Sequence, residues 1–163
     1  MEENKLNNSD EFLKLINFET SKCNKDDKKD KKIMMYSPAQ LAYAGDAVYE
    51  LLARSYVIHK YNANVNKMHR ITVKFVKANT QAYLISKLEP NLTEEEKKIV
   101  KRGRNAKVTS SPKNAELTEY RYATGFEALF GYLYLGGNID RLMCLFKMAI
   151  EIIGEKDRNN EDN

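Results

Sequence analysis

Ser37-Pro38-Ala39-Gln40-Leu41-Ala42-Tyr43-Ala44-Gly45-Asp46-Ala47-Val48-Tyr49-Glu50 is the stretch that decides the fold. It opens with the chemistry of a helix start. Serine sits at the N-cap, proline at the first helical position and glutamine at the third, which together make a capping box. The apolar spacing that follows predicts one long helix running to about Tyr61. Leu41, Ala44, Val48, Leu51, Leu52 and Ser55 share one face. Ala42, Tyr49, Ala53 and Val57 leave the opposite face poor in charge as well. A helix of this kind is expected to be buried nearly all round.

The same signals recur on the C-terminal side. A second helix is predicted from about Val65 to Leu88, ending before Pro90. A third begins at another capping box, Thr93-Glu94-Glu95-Glu96, and stops near Gly103. A polar loop follows through Pro112, then a long helix from about Ala115 to Leu135, closed by Gly136-Gly137. Asn138 caps a last helix, Ile139 to about Ile153. No glycine-punctuated alternating strands and no internal repeat occur, so the fold class is all-α, a helical bundle. Residues 1–34 read as an N-terminal extension. Its run from Lys22 to Lys32 has almost nothing apolar to bury and is expected to be disordered. Residues 35–154 read as the domain, and 155–163 as a flexible tail.

The chain has 163 residues, room for one domain with a real core. Lys+Arg number 27 against 23 Asp+Glu, a net charge of +4. A lysine-rich solvated surface and a polyanionic partner both fit that balance. Cys23 and Cys144 lack CxxC spacing and a nearby histidine, which argues against a zinc site or a disulfide framework and fits a reducing cytoplasm. No apolar run has membrane-spanning length, so no membrane partner is expected. The polar, acidic start, Met1 to Glu11, does not read as a secretory signal.

Two acids stand where helix rules disfavour them. Gly45 and Asp46 lie mid-helix among Leu41, Ala42, Tyr43, Ala44, Ala47 and Val48. Glycine there costs about 1 kcal/mol relative to alanine. An unpaired buried carboxylate costs several kcal/mol unless a cation or hydrogen bonds compensate. Glu127 repeats the pattern in Tyr122-Ala123-Thr124-Gly125-Phe126-Glu127-Ala128-Leu129-Phe130-Gly131-Tyr132, where Gly125, Ala128 and Gly131 allow another helix to approach closely. A salt bridge from Asp46 to Arg54, Arg121 or a lysine explains these residues as well as a functional site does. If the two helices pack, the carboxylates converge on one hard cation. Magnesium suits such a pair because it takes a few carboxylates and keeps several waters.

At this point the sequence resembles a known family. Leu41 to Glu50 is similar to the signature helix of ribonuclease III, and Thr124 to Gly131 to its second acidic motif. Together with Arg102-Gly103-Arg104-Asn105-Ala106-Lys107 and Tyr120-Arg121-Tyr122, the chain from about Met35 to Ile153 resembles Mini-III, a ribonuclease III that consists of the catalytic domain alone. The resemblance implies the ribonuclease III catalytic-domain fold. It implies a magnesium-dependent endoribonuclease for double-stranded RNA, with manganese as a substitute. Asp46 is implied as the catalytic, metal-binding aspartate and Glu127 as the metal-binding glutamate. Ribonuclease III proper has two further acids, and here those places are Ala42 and Thr124. Glu50 is a candidate for orienting a metal-bound water, with a structural role ranked above it. Thr124 is a candidate for bonding such a water or for helix packing.

The resemblance also implies a homodimer with the signature helices paired, near Tyr43, Ala47, Leu51 and Arg54. The implied substrate is the stem of the 23S ribosomal RNA precursor, with a large-subunit ribosomal protein or the pre-ribosome as helper. Lys101, Arg102, Arg104, Asn105, Lys107 and Lys113 cluster around the end of the third helix and its loop, and resemble the family's RNA-facing element. Read alone, they are also an ordinary solvated helix end, where cations favour the dipole. Lys67, His69, Arg70, Lys74 and Lys77 form a second basic stretch, in which His69 reads as packing or polar surface. The rival to an enzyme is a catalytically degenerate domain that binds RNA or ribosomes without cutting.

Overall fold

The structure, a computed structural model, describes residues 33–107 and 114–161, and all regular structure among them is helical. The α-helices in order are α1 (Pro38–Tyr61), α2 (Val65–Val76), α3 (Ala78–Leu88), α4 (Glu94–Arg104), α5 (Asn114–Leu135) and α6 (Ile139–Glu161). A 3-10 turn at Glu89–Asn91 carries Pro90 between α3 and α4. The lysine- and aspartate-rich run lies outside the described residues, and so does Lys113.

Both capping boxes form. The Ser37 side chain accepts from Gln40 N and the Gln40 side chain from Ser37 N. Thr93 and Glu96 do the same at the start of α4. Gly137 takes φ 71°, letting Asn138 N donate to the Leu133 carbonyl at 2.8 Å and close α5.

Three expectations need correction. The helix predicted over Val65 to Leu88 is two helices. Lys77 is extended (φ −67°, ψ 147°) and caps both, while Thr80 Oγ1 donates to the Lys74 carbonyl at 2.8 Å across the break. The last helix does not stop near Ile153 but continues to Glu161, carried by a run of charged residues without a glycine or proline after Gly154. Finally, α1 is not buried nearly all round. Its core face is Leu41, Ala42, Gly45, Tyr49, Ala53 and Val57, while Tyr43, Ala47, Leu51 and Ile58 point outward.

α5 is the hub, packed against α1, α3 and α4 at once. Tyr49 of α1 stands at the centre of the core. Its ring meets Phe126 and Phe130 of α5 edge-on at 4.7 and 5.2 Å, and its hydroxyl donates to the Phe75 carbonyl at 3.3 Å. The domain also takes in Ile33, which is buried with Leu41, Ile99 and Ala128. α6 is locked to α4 by Arg141, whose guanidinium donates to both Glu96 oxygens (2.8 and 2.9 Å) and to the Asn91 carbonyl (2.7 Å).

Candidate active site

Glycine builds the site. A Cβ on Gly45 would lie 1.7 Å from the Glu127 carbonyl oxygen, and one on Gly131 would lie 1.9 Å from the Leu41 carbonyl oxygen. α1 and α5 therefore cross backbone to backbone, which only residues without a side chain permit. Gly103 and Gly125 perform the same service between α4 and α5, where a Cβ on Gly103 would meet Gly125 Cα at 2.7 Å. The first crossing sets Asp46, next to Gly45, beside Glu127. The second draws the C-terminal end of α4 to the same place.

Between these crossings opens a cleft of about 310 Å³, with Asp46 and Glu127 on its wall. Lys107, Tyr120, Arg121 and Thr124 line it too, and so does Ala42. Asp46 sits on the exposed side of α1 and not deep in the core as its neighbours suggest; Glu127 is half-buried. Burial, then the charge of Glu50, raises the Asp46 carboxyl above its ordinary value. Glu127 is pushed up to about 7, by burial first and by the Asp46 charge second. The repulsion thus falls on the deeper group, and Asp46 ionises before it. Gln81 of α3 faces Glu127 and acts the other way, lowering its pKa, although Gln81 Nε2 itself is buried without a partner at hydrogen-bond distance.

Among the described residues neither carboxylate makes an ion pair. Arg54, an anticipated partner of Asp46, is taken by Glu50, to which its Nε donates at 3.0 Å. Arg121 lines the cleft without pairing to either acid. Thr124 Oγ1 donates to the Tyr120 carbonyl at 2.9 Å, a helix-internal bond, while its residue faces the cleft. No group of three His, Cys, Asp or Glu able to hold a metal occurs among the described residues.

The basic residues expected at the end of α4 divide. Lys107 reaches the carboxylate cleft. Arg104 lies over the Tyr122 ring, 4.0 Å from its centroid, and with Lys101 and Asn105 borders a separate hollow of about 230 Å³. Arg102 is turned away, donating to the Tyr36 carbonyl at 2.9 Å and so tying the segment before α1 to α4. Gln81 was missed by sequence reasoning because it follows Asn79 and Thr80 at the polar start of its helix, where a glutamine does not stand out.

Residues 39–138 match the Ribonuclease III domain. The chain belongs to the ribonuclease III family. It is 47% identical over 123 residues to Mini-ribonuclease 3 of a Thermoanaerobacter species, spanning 76% of this chain and 87% of that one. The Clostridium tetani Mini-ribonuclease 3 is likewise 47% identical, over 128 residues, 78% of this chain and 85% of the relative. The crystal structure of a Fusobacterium nucleatum protein superposes with a TM-score of 0.65 at 30% identity, covering 74% of this chain and 96% of that one. The chain is thus an endoribonuclease of the Mini-III type, and its fold is that of the ribonuclease III catalytic domain. Ala42 and Thr124, the two places where the resemblance to ribonuclease III would put further acids, both line the cleft. No helix of the described residues is long and apolar enough to cross a membrane.

Proposed function

We propose that this ribonuclease cuts double-stranded RNA with magnesium held between Asp46 and Glu127. The observation that carries the reading is the pairing of two mutually repelling carboxylates in one open cleft, with no cation paired to either among the described residues. A hard divalent cation relieves that repulsion. A two-carboxylate donor set suits magnesium, which retains several of its waters, and manganese is expected to substitute. When bound, the ion activates water and offsets charge developing on the scissile phosphodiester.

The chain's own residues then do the binding and orienting. Asp46 would give one ligand to the ion. Glu127, in its ionised form, would give the other, and Gln81 faces its carboxyl from α3. Lys107 and Arg121 present positive charge to the backbone phosphates entering the cleft. Glu50 is held by Arg54 and acts on Asp46 through its charge, which favours the structural role for it.

The proposed working form is a homodimer. Tyr43 is 86% exposed and Leu51 57% exposed, and both lie with Ala47 and Ile58 along the outer face of α1. Covering that strip with its symmetric copy removes an exposed apolar surface and offers two sites to the two strands of a duplex. The proposed substrate is a ribosomal RNA precursor, a 23S stem, met in the cytoplasm, with a large-subunit ribosomal protein as helper. These assignments rest on the likeness to the Mini-III group.

The test is cleavage of plain duplex RNA with and without magnesium. Wild type is expected to cut only with the metal, leaving paired staggered ends. Binding without cutting under all divalent cations would contradict the reading and favour a module that only holds RNA.

A further inference from the structure

Gln81 is 1% exposed, buried as fully as the apolar residues Leu84, Ile85 and Leu88 that share its helix. The hydrogens of a buried amide are normally taken by acceptors, because leaving them unpaired in a packed core is costly. Yet Gln81 Nε2 has no partner at hydrogen-bond distance among the described residues. An apolar side chain of the same length would fill the same space without that cost. Packing alone therefore does not explain a glutamine here.

The surroundings of the amide supply the reason. α3 packs against α5, and the Gln81 side chain faces the Glu127 carboxyl, whose ionised form it favours. An ionised carboxylate only accepts hydrogen bonds, so the amide N–H is the group that suits it. Glu127 lines the cleft, whereas Gln81, almost sealed from solvent, stands behind it. The start of α3 is firmly placed. Gln81 N donates to the Lys77 carbonyl at 3.1 Å, and Thr80 Oγ1 beside it donates to the Lys74 carbonyl at 2.8 Å. The neutrality of the amide also matters. Glu96 is held by the guanidinium of Arg141, which offsets its charge. An amide orients a carboxylate without offsetting the charge that a divalent cation requires.

We propose that Gln81 is the positioning residue of Glu127: its amide nitrogen donates to one oxygen of the ionised carboxylate and so holds the other toward the cleft. The inference rests on the two-carboxylate magnesium reading above and adds to it a residue that is not itself a ligand. It has a consequence that a packing role lacks. Nε2 is unpaired as the protein stands, so removing the amide should leave the fold no weaker. Cation binding draws on the orientation of Glu127, so the same change should weaken it.

The experiment uses the full chain and two readouts that need no cleavage. One is calorimetric titration with magnesium or manganese. The other is thermal unfolding in EDTA and in excess cation. Gln81→Met keeps the side-chain length without the amide, and Gln81→Asn keeps the amide one methylene short. Ile85→Val trims α3 elsewhere in the core as a control. Gln81→Met is expected to be at least as stable as wild type in EDTA, yet to bind the cation about tenfold more weakly. Its unfolding midpoint should rise correspondingly less when the cation is added. Gln81→Asn should also bind more weakly. Ile85→Val should lose the same stability with and without the cation and bind it as wild type does. Wild-type cation affinity in either folded Gln81 variant overturns the proposal. So does failure of both to fold, or an equal loss of stability with and without the cation, either of which would make Gln81 a packing residue. Those results leave the functional reading intact, whereas a wild type that binds no cation overturns both.

Discussion

Glu96 and Glu127 are both glutamates drawn in among packed helices, and they are treated in opposite ways. Glu96 is 4% exposed, yet every demand of its carboxylate is met. It accepts from Thr93 N at 2.8 Å and from Arg141 through both oxygens. Burial pushes its carboxyl up, but the Arg141 and Thr93 bonds outweigh that and hold it below its ordinary value. Glu127 has no such cation among the described residues. Burial and Asp46 push it up to about 7. The contrast separates a carboxylate that holds helices together from one kept short of partners so that something else can supply them.

The largest expected effect sharpens that contrast. Glu127→Gln and Asp46→Asn should each lower the cleavage rate by about 10³-fold or more, roughly 4 kcal/mol of barrier, because an amide is a poor ligand for a hard cation. Single-turnover cleavage of a duplex measures it. Arg141→Ala, by contrast, should leave the rate per folded molecule near wild type.

Gly45→Ala comes next. Its Cβ would sit inside the Glu127 carbonyl, so α1 and α5 must part. The expected cost is at least about 3 kcal/mol of stability, the upper range of overpacking, together with loss of activity in whatever folds. Urea unfolding reads the first; wild-type stability would mean that the crossing tolerates a side chain.

Arg141→Ala breaks the satisfied side of the comparison. It leaves Glu96 buried and unpaired, and should cost about 2 to 3 kcal/mol, less than for a fully sealed pair because Arg141 is partly solvent-exposed. Equilibrium unfolding near neutral pH is the check.

Much of this was legible in the sequence, for definite reasons. Capping boxes at Ser37 and Thr93 are local chemistry, so the helix starts came out correctly. The carboxylates were visible because Asp46 and Glu127 are acids in apolar surroundings. The break at Lys77 was not, since no glycine or proline marks it and Thr80 makes the turn with a side-chain bond that periodicity does not register. The core face of α1 was misjudged because its apolar residues surround the whole helix. Only the contact of Gly45 with α5 decides which side is inward, and that is a tertiary fact. The parting of Arg102 from Arg104 and Lys107 was hidden for the same reason, as neighbours on a helix end diverge by about 100° per residue.

A smaller effect concerns pH. The Glu127 carboxyl lies above its ordinary 4.5 in the folded chain, at about 7. The folded state therefore holds this proton more tightly than the unfolded state. Its contribution to stability is fully present below about 4.5 and is lost as pH rises through about 7. Without divalent metal, the expected loss over that window is roughly 1 to 2 kcal/mol after allowing for solvent at the cleft mouth. Glu127→Gln should flatten it, giving a metal-free protein that is more stable than wild type at pH 8 but inactive. A flat wild-type profile in thermal unfolding across that window would contradict the raised Glu127 carboxyl.

The most direct measurement of the central claim is calorimetric titration of the metal-free protein with magnesium, or manganese where the heat is small, near pH 6.5. Wild type is expected to bind the cation and to release protons as Glu127 ionises, with the release fading toward pH 8. Asp46→Asn and Glu127→Gln should each abolish most of that binding, and Arg141→Ala should leave it unchanged. Undiminished cation binding by folded Asp46→Asn and Glu127→Gln proteins would contradict the account, because the metal would then sit somewhere other than between these two carboxylates.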